Sequence, residues 1–225
     1  MKQKLFFAFY ALLSISVIAV QLTHIDTIQN ILKPLLMPTL IFGYFWLNTN
    51  KLQKYDFLII AALFFSMFGD TFLMPYFDIF MAGLGSFLLG HIFYLLAFIP
   101  EVKKPIIFNK QKIIISSIGF IFYALLVITL VWKLNSISAS PVLIIAIGIY
   151  ATVLFSVFIT ALLRNTASIF SYKLVLIGAS LFLLSDGLLA INKFVEPLPL
   201  SRLWVMSTYT TAQAFIMYGS LQRRQ

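Results

Sequence analysis

The chain has 225 residues, of which 61% are hydrophobic and 10% charged, with a mean hydropathy of +1.00. A soluble domain carries about a quarter charged residues, so this composition excludes a soluble globule and points to a single transmembrane domain over residues 1–225. With no cysteine, disulfides, thiolate metal sites and thiol nucleophiles are excluded, and the net charge of +9 is accounted for by basic cytoplasmic loops rather than by a nucleic-acid partner.

A membrane-spanning helix needs about 20 apolar residues. Eight segments qualify: 4–22, 31–48, 56–75, 79–99, 112–132, 141–163, 172–191 and 202–221. The predicted fold class is therefore all-α, a polytopic integral membrane protein with eight transmembrane helices. The opening Met1-Lys2-Gln3-Lys4 and the apolar run after it have the shape of a signal peptide. No small-x-small cleavage site follows, so the segment is read as the first retained span.

Basic residues set the orientation. Lys2, Lys4, Lys51, Lys54, Lys103, Lys104, Lys110, Lys112, Arg164, Lys173, Arg223 and Arg224 fall on one set of flanks, and only Lys33, Lys133, Lys193 and Arg202 on the other. Both termini are expected in the cytoplasm, in a cell inner or plasma membrane if the source is bacterial.

Five of the seven acids lie between spans or at their starts. Asp56 and Asp78 precede spans three and four as candidate helix caps, and Asp26, Glu101 and Glu196 read as solvated loop residues. Asp70 and Asp186 remain inside apolar runs, where an ionisable group suggests a functional site. At ~1.5 Å per residue they lie roughly 8 and 9 Å below the outer ends of spans three and seven. Two carboxyls at one depth, each with a small residue before it, are expected to face each other. Their placement four spans apart also hints at a four-plus-four parallel repeat.

The remaining intramembrane polar residues are candidate supports: Ser66 one turn below Asp70, His91 and Tyr94 on one face of span four, Ser185 beside Asp186, and Tyr209 and Gln213 on one face of span eight. Each has a bland reading as a helix–helix hydrogen bond. Two aspartates and one histidine make a poor zinc set, so no metal is expected. Lys33, Lys193 and Arg202 break the cytoplasmic bias at the outer surface. They are either snorkelling cations or a phosphate-binding rim above the carboxyls. No GxSxG or HExxH occurs, so neither a serine triad nor a zincin mechanism has support.

Five short motifs in order resemble the YhhN family of membrane proteins, which includes lysoplasmalogenases. They are Lys33-Pro34; Ser66-x-x-Gly69-Asp70-x-x-Leu73; Gly85-x-Phe87-x-x-Gly90-His91-x-x-Tyr94; Ser185-Asp186-x-x-Leu189-Ala190 with Lys193-Phe194; and Tyr209-x-x-Ala212-Gln213. The resemblance runs from about Lys33 to Gln213. It implies eight spans and hydrolysis of the vinyl ether of a lysophospholipid-type substrate, giving a fatty aldehyde and glycerophosphoethanolamine or glycerophosphocholine. No cofactor and no obligate protein partner follows from it.

The residues suit that chemistry. Protonating the β-carbon of a vinyl ether gives an oxocarbenium ion, which water then captures. One protonated and one ionised carboxyl suffice, and an apolar site splits a carboxyl pair into those roles. Asp70, among Phe64, Phe65, Phe68 and Phe72, is expected to be the acid. Asp186, with Lys193 above it, is expected to be the ionised partner. Two other readings use the same residues: a proton-coupled transporter or lipid flippase, and a structural membrane protein whose aspartates only tie helices together.

Overall fold

A computed structural model describes residues 1–23, 26–102 and 109–224. The loop over 103–108, with Lys103 and Lys104, lies outside the described residues, as does the side chain of Asp26. In chain order the helices are α1 (Lys2–Leu22), α2 (Asp26–Leu32), α3 (Leu36–Leu47), α4 (Lys54–Phe72), α5 (Phe80–Phe98), α6 (Lys110–Ser136), α7 (Pro141–Leu163), α8 (Ile169–Phe194) and α9 (Ser201–Leu221). There is no strand among the described residues.

Seven of these segments are long and apolar enough to cross a membrane, so the chain is an integral membrane protein. Five are single helices, and Phe80–Glu101 adds a 3₁₀ turn at Ile99–Glu101 to α5. The seventh, Thr27–Leu47, combines α2 and α3 through a 3₁₀ turn at Lys33–Leu35. Pro34 explains the turn, since proline has no N–H to give to an α-helical ladder. The expected second span, 31–48, thus begins earlier and bends at its own Lys-Pro motif. Helix α6 runs 27 residues, about 40 Å, past both edges of the expected 112–132. Its ends, Lys110-Gln111-Lys112 and Lys133-Leu134-Asn135-Ser136, are polar and continue the helix beyond its apolar centre.

The eighth expected span is different. Helix α9 has 21 residues but carries Arg202, Tyr209, Gln213 and several hydroxyls, and it does not reach the apolarity of the others. One face of it is instead buried in the protein. Tyr209, Ala212, Gln213, Ile216, Met217 and Gly219 are all buried.

Local chemistry starts the helices where expected, with two exceptions. Asn109, Ser140 and Ser168 cap α6, α7 and α8 by accepting from Lys112, Leu143 and Ser171 backbone N–H groups. Asp56 does cap α4, but from inside its first turn, in a reciprocal box with Gln53. Asp78 does not cap α5; the residue at the cap is Ile79. Asp78 instead takes a left-handed backbone, φ 42°, in the tight turn from α4.

Two helix pairs are packed closest. Gly178 of α8 faces the backbone of α9, where a methyl group in its place would lie 2.9 Å from the Ala212 carbonyl oxygen. Gly90 of α5 faces α4 in the same way, 3.1 Å from the Ala62 oxygen and 3.2 Å from Ser66 Oγ. Small residues let backbones approach where lipid supplies no hydrophobic drive between helices. The Gly-Asp and Gly-His motifs are therefore parts of one α4–α5 contact.

Glu101 is not a solvated loop acid. It pairs with Arg164, whose side chain is fully buried, and with Arg223 at 3.3 Å. Nearby, Asp56 accepts from Tyr44 and Arg224, both at 2.7 Å. These ion pairs gather the basic ends of α4, α7 and α9 at one end of the bundle. Such charges, buried together, demand one another, because an unpaired one costs several kcal/mol.

Candidate active site

The two intramembrane aspartates sit in separate polar groups near the opposite end. Asp70 lies in the last turn of α4. Tyr209 of α9 donates to its Oδ2 at 2.7 Å, and the Lys33 ammonium stands 3.7 Å from its Oδ1. Asp186, in the C-terminal half of α8, accepts a hydrogen bond from Tyr150 of α7 at Oδ2. His91 Nε2 lies 3.4 Å from the same oxygen and 3.0 Å from the Tyr150 hydroxyl.

Rings stand between the two groups. Phe182 packs edge-on against His91 at 4.5 Å and against Tyr209 at 5.5 Å. Phe87 meets Tyr209 at right angles, 5.9 Å away. Each carboxylate is thus satisfied by its own hydroxyl, with no hydrogen bond from one aspartate to the other. The cation beside a carboxyl is Lys33, in the 3₁₀ turn with Pro34, and it stands against Asp70 rather than over Asp186. Lys193, the residue expected over Asp186, instead lies over the ring of Phe80 at 4.8 Å.

Asp186 lines a pocket. A narrow cleft lies between α5, α6, α7 and α8. Its walls are almost wholly apolar, from residues such as Leu84, Leu126, Leu130 and Ile147. Polar groups enter it from Asp186, Tyr150 and Lys193 alone. Asp70 is not in its wall. Phe87 and Leu73, which are, lie on that side of α4 and α5. The side chain of Asp186 is 13% exposed and that of Asp70 4%.

The other candidates divide. Tyr94 donates to Gln213, whose amide donates to Ser66 Oγ at 3.1 Å, and Ser66 in turn bonds the Ala62 carbonyl at 2.9 Å. This chain ties α5, α9 and α4 one layer below Asp70. Ser185 donates to the Val205 carbonyl at 3.1 Å, a tie between α8 and α9. Arg202 donates to the Gln21 carbonyl at 2.9 Å, joining α9 to the end of α1. The three rim cations therefore serve three places: Lys33 in an ion pair, Arg202 on backbone, and Lys193 at the pocket. Among the described residues no three His, Asp or Glu side chains gather as a metal site.

The model of the YhhN family matches residues 28–220. The chain belongs to the YhhN family. Among curated proteins it is 32% identical over 157 residues to lysoplasmalogenase TMEM86B of Sus scrofa, covering 69% of this chain and 60% of that protein. It is 27% identical to the protein of the same name in Rattus norvegicus, over 75% of this chain and 64% of that one. It is 28% identical to lysoplasmalogenase TMEM86A of Homo sapiens, over 74% and 66%. The matched stretch thus spans about three fifths of the first relatives' length. No solved structure matches the chain.

Two residues of this family member's site were not legible as such in the sequence. Tyr150 stands in an apolar run, Ile147-Gly148-Ile149-Tyr150-Ala151, where it reads as ordinary aromatic packing. Its one signal is a phenol in the middle of a span, which needs a hydrogen-bond partner when buried. Phe182 gives no polar signal at all.

Proposed function

We propose that the chain is a membrane hydrolase that cleaves the vinyl ether bond of a lysoplasmalogen or related lysolipid, with Asp186 as the proton donor. The observation that carries this is the cleft: an apolar chamber with one carboxyl on its wall and one ammonium on the same face of α8. Lys193 lies two helical turns from Asp186, about 10 Å along the axis. That spacing suits a lipid whose alkenyl chain fills the cleft and whose phosphate, several bonds beyond the vinyl ether, meets the ammonium.

In this reading Asp186 gives its proton to the β-carbon and the ether oxygen stabilises the resulting cation. Water adds at the α-carbon, and the hemiacetal collapses to aldehyde and glycerol oxygen. Asp70 is the ionised partner, paired with Lys33. It acts at one remove, holding Tyr209 and through it the Phe87–Phe182 wall. The roles expected from the sequence are thereby exchanged, because the cation stands with Asp70 and the cleft with Asp186. The lysoplasmalogenase names of the curated relatives support the reaction class.

The same proposal includes an eighth crossing by α9, whose 21 residues span about 31 Å and whose polar groups point into the bundle. It also includes cytoplasmic termini and the four-plus-four repeat. The two tightest helix pairs, α4–α5 and α8–α9, each carry an aspartate in the C-terminal half of their first helix.

The test uses purified protein in detergent with a lysoplasmalogen and an acyl-lysophospholipid side by side. Aldehyde should appear from the first and no fatty acid from the second. Asp186→Asn should abolish aldehyde release while the protein still binds a saturated alkyl-ether lysolipid. Asp70→Asn should leave a weaker activity. Near-normal release by Asp186→Asn would overturn the assignment, and wild-type protein that releases no aldehyde but moves lipid across a proton gradient would favour transport.

A further inference from the structure

We infer that Tyr150 is a catalytic residue that returns the proton of the attacking water to Asp186, and that His91 is the positioning residue that aims it. The inference rests on the hydrolase reading above and deepens it.

Acid catalysis by a buried carboxyl poses a supply problem. When Asp186 has protonated the β-carbon it is a carboxylate in an apolar chamber, and it must be reprotonated before the next turnover. The water that adds to the oxocarbenium ion forms a new C–O bond and must shed one proton. Both needs are met if that proton reaches Asp186.

Tyr150 is placed to carry it. Its hydroxyl donates to Asp186 Oδ2, and it shares the wall of the same cleft. As water adds, a proton passes from the water to the tyrosine oxygen and the phenol's own proton passes to Asp186. The phenol ends neutral, the carboxyl is restored, and no other group gains or loses a proton. Asp186 could take the proton directly only if the water approached the carboxylate itself. Its Oδ2 is already covered by the hydroxyl of Tyr150 and the ring of His91.

His91 decides the orientation of the phenol. Its side chain is 1% exposed, and its Nδ1 is buried with no hydrogen-bond partner. Because the phenol's proton is directed at Asp186, a histidine bare at Nε2 would set its lone pair against the tyrosine oxygen. The proton therefore belongs on Nε2, where it donates to that oxygen at 3.0 Å. Phe182 fixes the ring plane from the other side, 4.5 Å away and steeply inclined. An Nε2–H···O(Tyr150)–H···O(Asp186) chain results, running in one direction toward the carboxyl.

The experiment compares wild type, Tyr150→Phe and His91→Gln in detergent, with aldehyde release from lysoplasmalogen in H₂O and D₂O and with binding of a saturated alkyl-ether lysolipid. Removing a proton-transfer group of this kind costs about 10²–10⁴ in rate. Tyr150→Phe should lower kcat by at least about 10² with KM and analogue binding within about twofold. Its solvent isotope effect should also differ from that of wild type. His91→Gln, which keeps an N–H donor, should lose less than Tyr150→Phe, and its isotope effect should stay at the wild-type value. A Tyr150→Phe protein that binds the analogue and keeps kcat within threefold of wild type would overturn the relay. So would a loss confined to KM, or equal losses of kcat and analogue binding, each of which marks a wall residue. Wild type that binds the analogue but releases no aldehyde would take the hydrolase reading first and the relay with it.

Discussion

Replacing Lys33 separates two roles for the same ammonium. In the structure its Nζ lies 3.7 Å from Asp70 Oδ1, with the lysine side chain 10% exposed and the aspartate 4%. At an effective dielectric of ~20, two unit charges at that distance attract by about 4.5 kcal/mol before desolvation is counted. Removing one partner of a buried pair costs about 3–5 kcal/mol, because the other charge is left unmatched. Asp70 keeps the Tyr209 hydroxyl, so Lys33→Met should fall at the lower end, about 3 kcal/mol, which lowers Tm by about 6–12 °C in a chain of this length. Thermal unfolding in detergent reads the shift directly. The double variant Lys33→Met/Asp70→Asn removes both charges and should recover at least half of the loss. If Lys33 were instead one of a rim of phosphate ligands, its removal would raise KM and leave Tm alone. A Lys33→Met protein within 2 °C of wild type with a raised KM would therefore refute the ion-pair reasoning.

Two further outcomes follow from packing and topology. Gly178→Ala places a methyl 2.9 Å from the Ala212 oxygen and 3.0 Å from the Ile216 nitrogen, both backbone, so α9 must shift and stability should fall by about 1–3 kcal/mol; Gly148→Ala, which meets nothing within 4 Å, should keep its Tm or raise it slightly. For orientation, Ile107→Cys supplies the only thiol in the chain, and it should resist an impermeant reagent added outside intact cells; labelling from outside would reverse the predicted topology.

The helices were legible because their signal is local. Apolar runs mark their own boundaries to within a few residues, while the caps Ser140 and Ser168 were not singled out. The acids were read less well, since their partners are remote in sequence. Glu101 meets Arg164 and Arg223 across 63 and 122 positions. Asp70 meets Lys33 across 37 positions, at the 3₁₀ turn of the second span. Depth along a helix can be counted from residue numbers, and in the helices Asp70 stands two residues from the end of α4 and Asp186 eight from the end of α8. Rotation about the helix axis cannot, and rotation sends one carboxyl to the cleft and the other to an ion pair. Tyr150 escaped for a related reason: its hydroxyl matters through what α8 and α5 bring to it, not through its neighbours in α7.

The buried face of α9 also bears on how the chain enters its bilayer. A segment bearing Arg202, Gln213 and a row of hydroxyls gains little from lipid on its own, since polar side chains are costly there. Its Gln213 and Tyr209 bond to side chains of α4 and α5, and its closest backbone contact is with α8. If α9 is the eighth crossing proposed above, its insertion is coupled to tertiary assembly, with the packed helices as the solvent into which it partitions. A lesion in α8 such as a filled Gly178 would then be felt during biogenesis, as a stalled last hairpin open to quality-control proteolysis, before it was felt in the finished protein.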